Sequence, residues 1–112
     1  MPIDLTYLKP PEEDSINVVS LAAATPSAAI PMWATNGLCA TISFISDTDV
    51  FITISKDFSG TVTDPNPTAT TGGGRCWLIP ARVPTTFKLG NRNRYFKAYA
   101  SDACYLRWRT ED

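Results

Sequence analysis

The sequence predicts an all-β fold: a compact β-sandwich or jelly-roll-like barrel carrying an extended N-terminal arm. Three observations lead there. Short runs rich in Ile, Val, Phe, Tyr and Thr recur from about residue 37 to residue 110, the composition that suits a pleated, half-buried surface. Turn-forming residues separate these runs, among them Pro80, Pro84, Gly90-Asn91 and Ser101-Asp102,. The one Ala-rich stretch, residues 15–31, is interrupted by Pro26 and closed by Pro31, so no stable helix crosses it. The 112 residues suit a single domain, and 44% hydrophobic against 19% charged residues is enough for one core,.

The first 14 residues hold Pro2, Pro10, Pro11 and the acidic run Glu12, Glu13, Asp14. Proline removes backbone donors and favours extended chain, so this stretch reads as an arm. A short strand follows at about residues 16–21. The arm as a whole is assigned to residues 1–25 and the β-domain to residues 26–112. Within the domain, residues 37–46 (GLCATISFIS) and 49–55 (DVFITIS) flank an acidic turn and read as a hairpin,. Ala40, Ile42 and Phe44 alternate on one run and Val50, Ile52 and Ile54 on the next. Ile45 and Phe51 fall on the opposite side, so cover on both faces is expected. Residues 61–74 contain two prolines and Gly72-Gly73-Gly74 without periodicity, which marks a long loop of the kind that is usually functional or mobile. Four more runs complete about six or seven strands: 75–79, 85–89, 94–100 and 104–110.

The composition excludes much chemistry. The chain has no histidine. Ser-His-Asp and Cys-His nucleophile systems, His-ligated zinc and proximal-His haem therefore cannot be assembled within one copy. No pair of carboxylates is marked as converging, and the expectation is a protein that is not an enzyme and holds no cofactor or metal. Gly72-Gly73-Gly74-Arg75 lacks the Lys-Ser/Thr of a phosphate loop,. Asp47 and Asp49 could offer oxygens to calcium, although acidic hairpin turns are ordinarily just solvated. Cys39, Cys76 and Cys104 follow no metal or redox spacing; reduced core cysteines in a cytosolically made chain is the plain reading, one disulfide with a free thiol the other. No signal or membrane-spanning segment is visible.

The last two runs carry the clearest pattern. Phe96, Ala98 and Ala100 alternate with Tyr95, Lys97 and Tyr99; Cys104, Leu106 and Trp108 alternate with Tyr105, Arg107 and Arg109. Pairing these runs as a hairpin sets Phe96 near Trp108 on one face. The other face then gathers Tyr95, Lys97, Tyr99, Tyr105, Arg107 and Arg109 into a cationic, aromatic surface. Such a surface serves either as an interface for carboxylates or phosphates, or as a solvated face whose long stems cover apolar area. Charge is also divided along the chain. Residues 1–64 hold two lysines against eight acids, net −6, while residues 65–112 hold eight cations against three acids, net +5. Halves of this kind fit an assembly in which one copy's acidic arm meets another copy's basic sheet, and they can equally be satisfied within one fold. Single-stranded nucleic-acid binding has the right side chains, but a pI of about 5.3 opposes it.

The short arm, the ATISFIS…DVFITIS pair, the GGGRCWLIP run and the closing RYFKAYASDACYLRWRT segment together resemble the small accessory virion proteins of tailed bacteriophages, closest to the head decoration (cement) proteins. The resemblance covers about residues 26–112 and rests on length, strand rhythm and composition. It implies a non-enzymatic virion structural protein, made in the host cytoplasm and placed on the outer capsid surface. Its partners would be the major capsid protein and further copies of itself as a dimer or trimer, with no nucleic acid and no membrane. In that role Ile3, Leu5, Tyr7, Leu8, Pro10 and Pro11 of the arm are the expected capsid contacts. A tail, fibre or receptor-binding module of the virion is the alternative.

Overall fold

A computed structural model describes residues 16–32, 41–55, 61–90 and 94–111. Eight strands and no helix occur among them. They are β1 (Asn17–Leu21), β2 (Ile30–Met32), β3 (Thr41–Ser46), β4 (Val50–Ile54), β5 (Trp77–Ile79), β6 (Thr85–Lys88), β7 (Arg94–Tyr99) and β8 (Cys104–Glu111). Sheet A has the order β1-β8-β3-β6 and sheet B the order β2-β7-β4-β5. All pairings are antiparallel. Strand 1 pairs with 8, 2 with 7, 3 with 6 and 4 with 5, and every connection except β4–β5 passes from one sheet to the other. This is one long hairpin rolled up, the jelly-roll form of the β-sandwich. The predicted all-β sandwich is the fold observed.

The core lies between the sheets and is built from the alternating apolar sets. Ile42 and Phe44 of β3, Leu106 and Trp108 of β8 and Leu21 of β1 point in from sheet A; Met32, Val50, Ile52, Ile79, Phe96 and Ala98 point in from sheet B. Aromatic rings cross the interface edge to face, the arrangement their quadrupoles prefer. Phe96 of sheet B stands 5.1 Å from Phe44 and 5.3 Å from Trp108, both of sheet A, and Phe44 meets Phe87 at 6.1 Å. Ala98 and Ala100 leave room for these rings and are fully buried.

Three expectations are corrected by this topology. The strand runs at 41–46 and 50–54 do not form a hairpin: β3 pairs with β6 and β8, β4 with β5 and β7. The turn between them is a corner that carries the chain between sheets. It is held by Ser46, whose Oγ donates to the Tyr105 carbonyl and accepts from the Thr48 N–H, and by Asp49, whose Oδ1 accepts from the Ala81 N–H at 2.8 Å. The arm does not extend to residue 25. Asn17–Leu21 pairs along β8, and beyond it the Ala24 and Ser27 N–H groups donate to the Ala100 and Ala98 carbonyls, both at 2.8 Å. The domain therefore includes residues 16–32, which join both sheets through backbone hydrogen bonds. Ile45, for which cover was expected, is 39% exposed.

Candidate functional site

The expected cationic, aromatic surface does not form as one face. β7 lies in sheet B and β8 in sheet A, so their apolar sets face each other across the core instead of lying side by side. Phe96 and Trp108 do meet, but through the sandwich. Their alternate residues consequently point out on opposite sides of the molecule: Tyr95, Lys97 and Tyr99 from sheet B, and Tyr105, Arg107 and Arg109 from sheet A. The physical reason is that two antiparallel strands with matched apolar alternation bury it equally well in one ladder or in two opposed sheets.

The sheet B trio is half-buried. Lys97 Nζ lies 2.8 Å from Asp64 Oδ1, and beside it Thr53 Oγ1 donates to the Thr63 carbonyl at 2.6 Å. The 61–74 segment is thereby fastened over sheet B and closed on itself by the Asn66 N–H, which donates to the Gly74 carbonyl at 2.8 Å. Gly74 has φ +87°, and a Cβ there would stand 3.2 Å from the Asp64 carbonyl oxygen; glycine is required at this closure. The segment borders a shallow hollow of about 430 Å³, whose described lining has hydroxyls from Thr53, Ser55, Thr61 and Thr63 and a single charge, Arg75. No group of three metal-ligating side chains occurs among the described residues.

Cys76 immediately precedes β5 and follows Arg75 of the hollow's lining. Burial pushes its thiol pKa above the ordinary value, and a backbone hydrogen bond from Asn66 offsets part of the rise. A raised pKa means less thiolate near neutrality, and thiolate is the reactive form. Alkylation of Cys76 by iodoacetamide is expected to be slower at pH 8 than that of a free thiol and to accelerate as pH climbs. Peptide mass mapping over a pH series checks this; a rate equal to that of free cysteine would contradict it. Cys104 is buried and Cys39 lies outside the described residues.

The outer face of sheet A is different. Its register places Arg107 between Val18 on β1 and Ile45 on β3, with Tyr105 beside Ser20 and Arg109 beside Ser43. Val18 is 52% and Tyr105 55% exposed, and Ile16 at the entrance to β1 is also open. A groove of about 230 Å³ runs across this face, lined by Ile16, Ser43, Ile45, Pro84 and the stems of Arg107 and Arg109, almost entirely through apolar atoms. Arg107 has no ion-pair partner among the described residues. Exposed apolar side chains scattered singly are ordinary; several contiguous on one face around a guanidinium mark an interaction surface. Sequence alternation placed Tyr105, Arg107 and Arg109 on a common side. It missed Ile16, Val18 and Ile45, although outward-pointing branched residues at 16, 18 and 45 were the available signal.

The six arm residues Ile3, Leu5, Tyr7, Leu8, Pro10 and Pro11 lie outside the described residues, as does Trp33. Fold and site together define a jelly-roll sandwich with one apolar, basic outer face. Comparison with known protein families and with curated proteins finds no match. Among solved structures, the chain is similar to Drosophila melanogaster CENP-C in its complex with CAL1. The identity is 7%, the match covers 92% of this chain and 69% of that one, and the TM-score is 0.47.

Proposed function

We propose that this chain is a non-enzymatic virion structural protein: a decoration (cement) protein that binds the outer surface of a phage head, clamps neighbouring major capsid subunits and assembles with copies of itself. The observation that carries this reading is the outer face of sheet A, apolar and basic, whose groove is lined at one end by Ile16. The jelly-roll topology supports it, being an architecture that serves viral coats among other uses. The division of the six aromatic and basic residues between opposite faces leaves them in no continuous cationic track, which supports a protein partner over nucleic acid.

The clamp is physically reasonable. An arm of 14 extended residues reaches on the order of 45 Å, enough to cross a subunit boundary. Edge strand β1 offers backbone groups to which a partner strand can add,. Many copies on one lattice turn modest affinity at each site into strong avidity. Deleting residues 1–14 is expected to leave the β-domain folded and abolish attachment. Head occupancy, measured by band intensity after sedimenting particles of the encoding phage with the truncated chain, checks this; normal occupancy would overturn the arm's role.

A receptor-binding module of the same particle is the second reading. Trp77 favours it, standing 64% exposed at the β5 edge next to Arg75 and the hydroxyl-lined hollow. Specific retention on host cells or a glycan surface, lost on Trp77→Ala and independent of capsids, would select this reading.

A further inference from the structure

We infer that two copies of this chain join edge to edge through β5 as a two-fold pair, making one continuous sheet from their two B sheets. The inference rests on the self-assembly in the reading above and names the surface that carries it, leaving the outer face of sheet A to the capsid. An edge strand leaves one row of backbone donors and acceptors without a ladder, and such rows are ordinarily blunted by charge or proline. β2 carries Pro31, and β6 carries Lys88 and follows Pro84. β1 is the edge offered to a capsid strand. The remaining edge, β5, is Trp77-Leu78-Ile79, with neither charge nor proline.

Its side chains are open as well. Trp77 is 64% and Leu78 38% exposed, and Val83, on the link from β5 to β6, is 49% exposed. Trp77 lies opposite Ile52 on the core side of the sheet, yet it stays open because β5 is the last strand. Large apolar side chains gathered along an unpaired edge mark a place of association.

Self-complementarity selects a second copy as the occupant. A two-fold axis through Leu78 sets Leu78 of one copy against Leu78 of the other. Within sheet B, Leu78 lies opposite Phe51 and Phe51 opposite Tyr99, so the pair joins two such rows end to end across the outer face. The same register sets Trp77 of each copy against Ile79 of the other, apolar against apolar. It also brings Arg75, two residues before β5, opposite Ala81, two residues after it. The Ala81 N–H donates to Asp49 Oδ1 at 2.8 Å, and this corner holds Asp47 and Asp49 against the single cation Arg82. Each exposed Arg75 therefore meets an acidic corner of the other copy, twice by symmetry. A contact of this kind closes at two copies. It is small, at the low end of specific interfaces, so the dimer dissociates on dilution through about the micromolar range.

Sedimentation velocity of the full chain over a concentration series, beside Leu78→Glu and Leu78→Lys, tests this without any capsid. The full chain is expected as a dimer. Each variant sets like charges against each other on the axis and is expected to weaken the dimer at least about tenfold. Mixing the two equimolar is expected to restore a 1:1 dimer, because only the mixed pair sets opposite charges there. Thermal melts check folding; should the Leu78 variants fail to fold, Arg75→Glu and Asp49→Lys form the same kind of complementing set. A full chain that is monomeric throughout, a trimer, a dimer that either variant keeps, or a mixture with no complex overturns the inference. Failure of the function reading looks different: the dimer forms as inferred and phage heads stay bare.

Discussion

Replacing Phe96 with alanine is expected to remove about 3–5 kcal/mol of stability, the usual range for deleting a buried aromatic ring and leaving its cavity. Phe96 is fully buried and is the sheet B ring that bridges Phe44 and Trp108 of sheet A. Its loss removes edge-to-face contacts with both as well as the transfer energy of the ring itself. Against a total of about 5–15 kcal/mol for a typical domain, that is enough to leave a large part of the population unfolded on warming. Phe51, at an outward position on β4 and only half-buried, provides the control: Phe51→Ala should cost clearly less. Urea unfolding of both variants checks this. Equal losses would mean that the sheets are not joined through the Phe44–Phe96–Trp108 contact.

Arg107→Glu is expected to weaken attachment to heads at least tenfold and to flatten its dependence on salt, whereas Lys97→Glu should leave attachment unchanged. Arg107 stands at the centre of the open face of sheet A, and reversing its charge sets a carboxylate against any acidic partner that docks there. Lys97 is on the other side of the molecule and already holds Asp64 at 2.8 Å. Breaking that pair costs stability of about 0–1 kcal/mol, since the Asp64 side chain is 60% exposed and solvent screens the attraction. Head occupancy against protein concentration at two salt levels separates the two variants. Equal effects on attachment would mean that both residues serve one surface after all.

Much of the fold is legible in residues taken locally. The alternation of Ile42 with Phe44, of Val50 with Ile52, of Phe96 with Ala98 and of Leu106 with Trp108 identifies the inward side of four strands, and all eight of these residues are buried. Prolines and Gly-Asn or Ser-Asp pairs mark where strands stop. β2 was not legible, because Ile30-Pro31-Met32 is short and carries a proline; it is tolerated there because β2 is the edge of sheet B, where one row of backbone donors has no ladder to join. The candidate site was half legible. Arg107, Arg109 and Tyr105 share a face as their spacing requires, but their expected neighbours Tyr95, Lys97 and Tyr99 do not join them.

The sequence by itself determined that this chain folds as strands, which side of each strand is apolar, and that histidine-based chemistry is closed to it. Period-two alternation carries that information, since a strand's two faces are fixed by the backbone pleat. Only the tertiary structure decided which strands are neighbours. The matched apolar sides of β7 and β8 are satisfied equally by lying in one sheet or by facing each other, and the same holds for β3 and β4. The choice falls to the whole chain: four-stranded sheets must cover one another, and pairing β1 with β8 and β3 with β6 closes that cover around Phe44, Phe96 and Trp108. Splitting β7 from β8 put Lys97 and Arg107 on opposite sides and left Val18, Ile45 and Arg107 together on an open face.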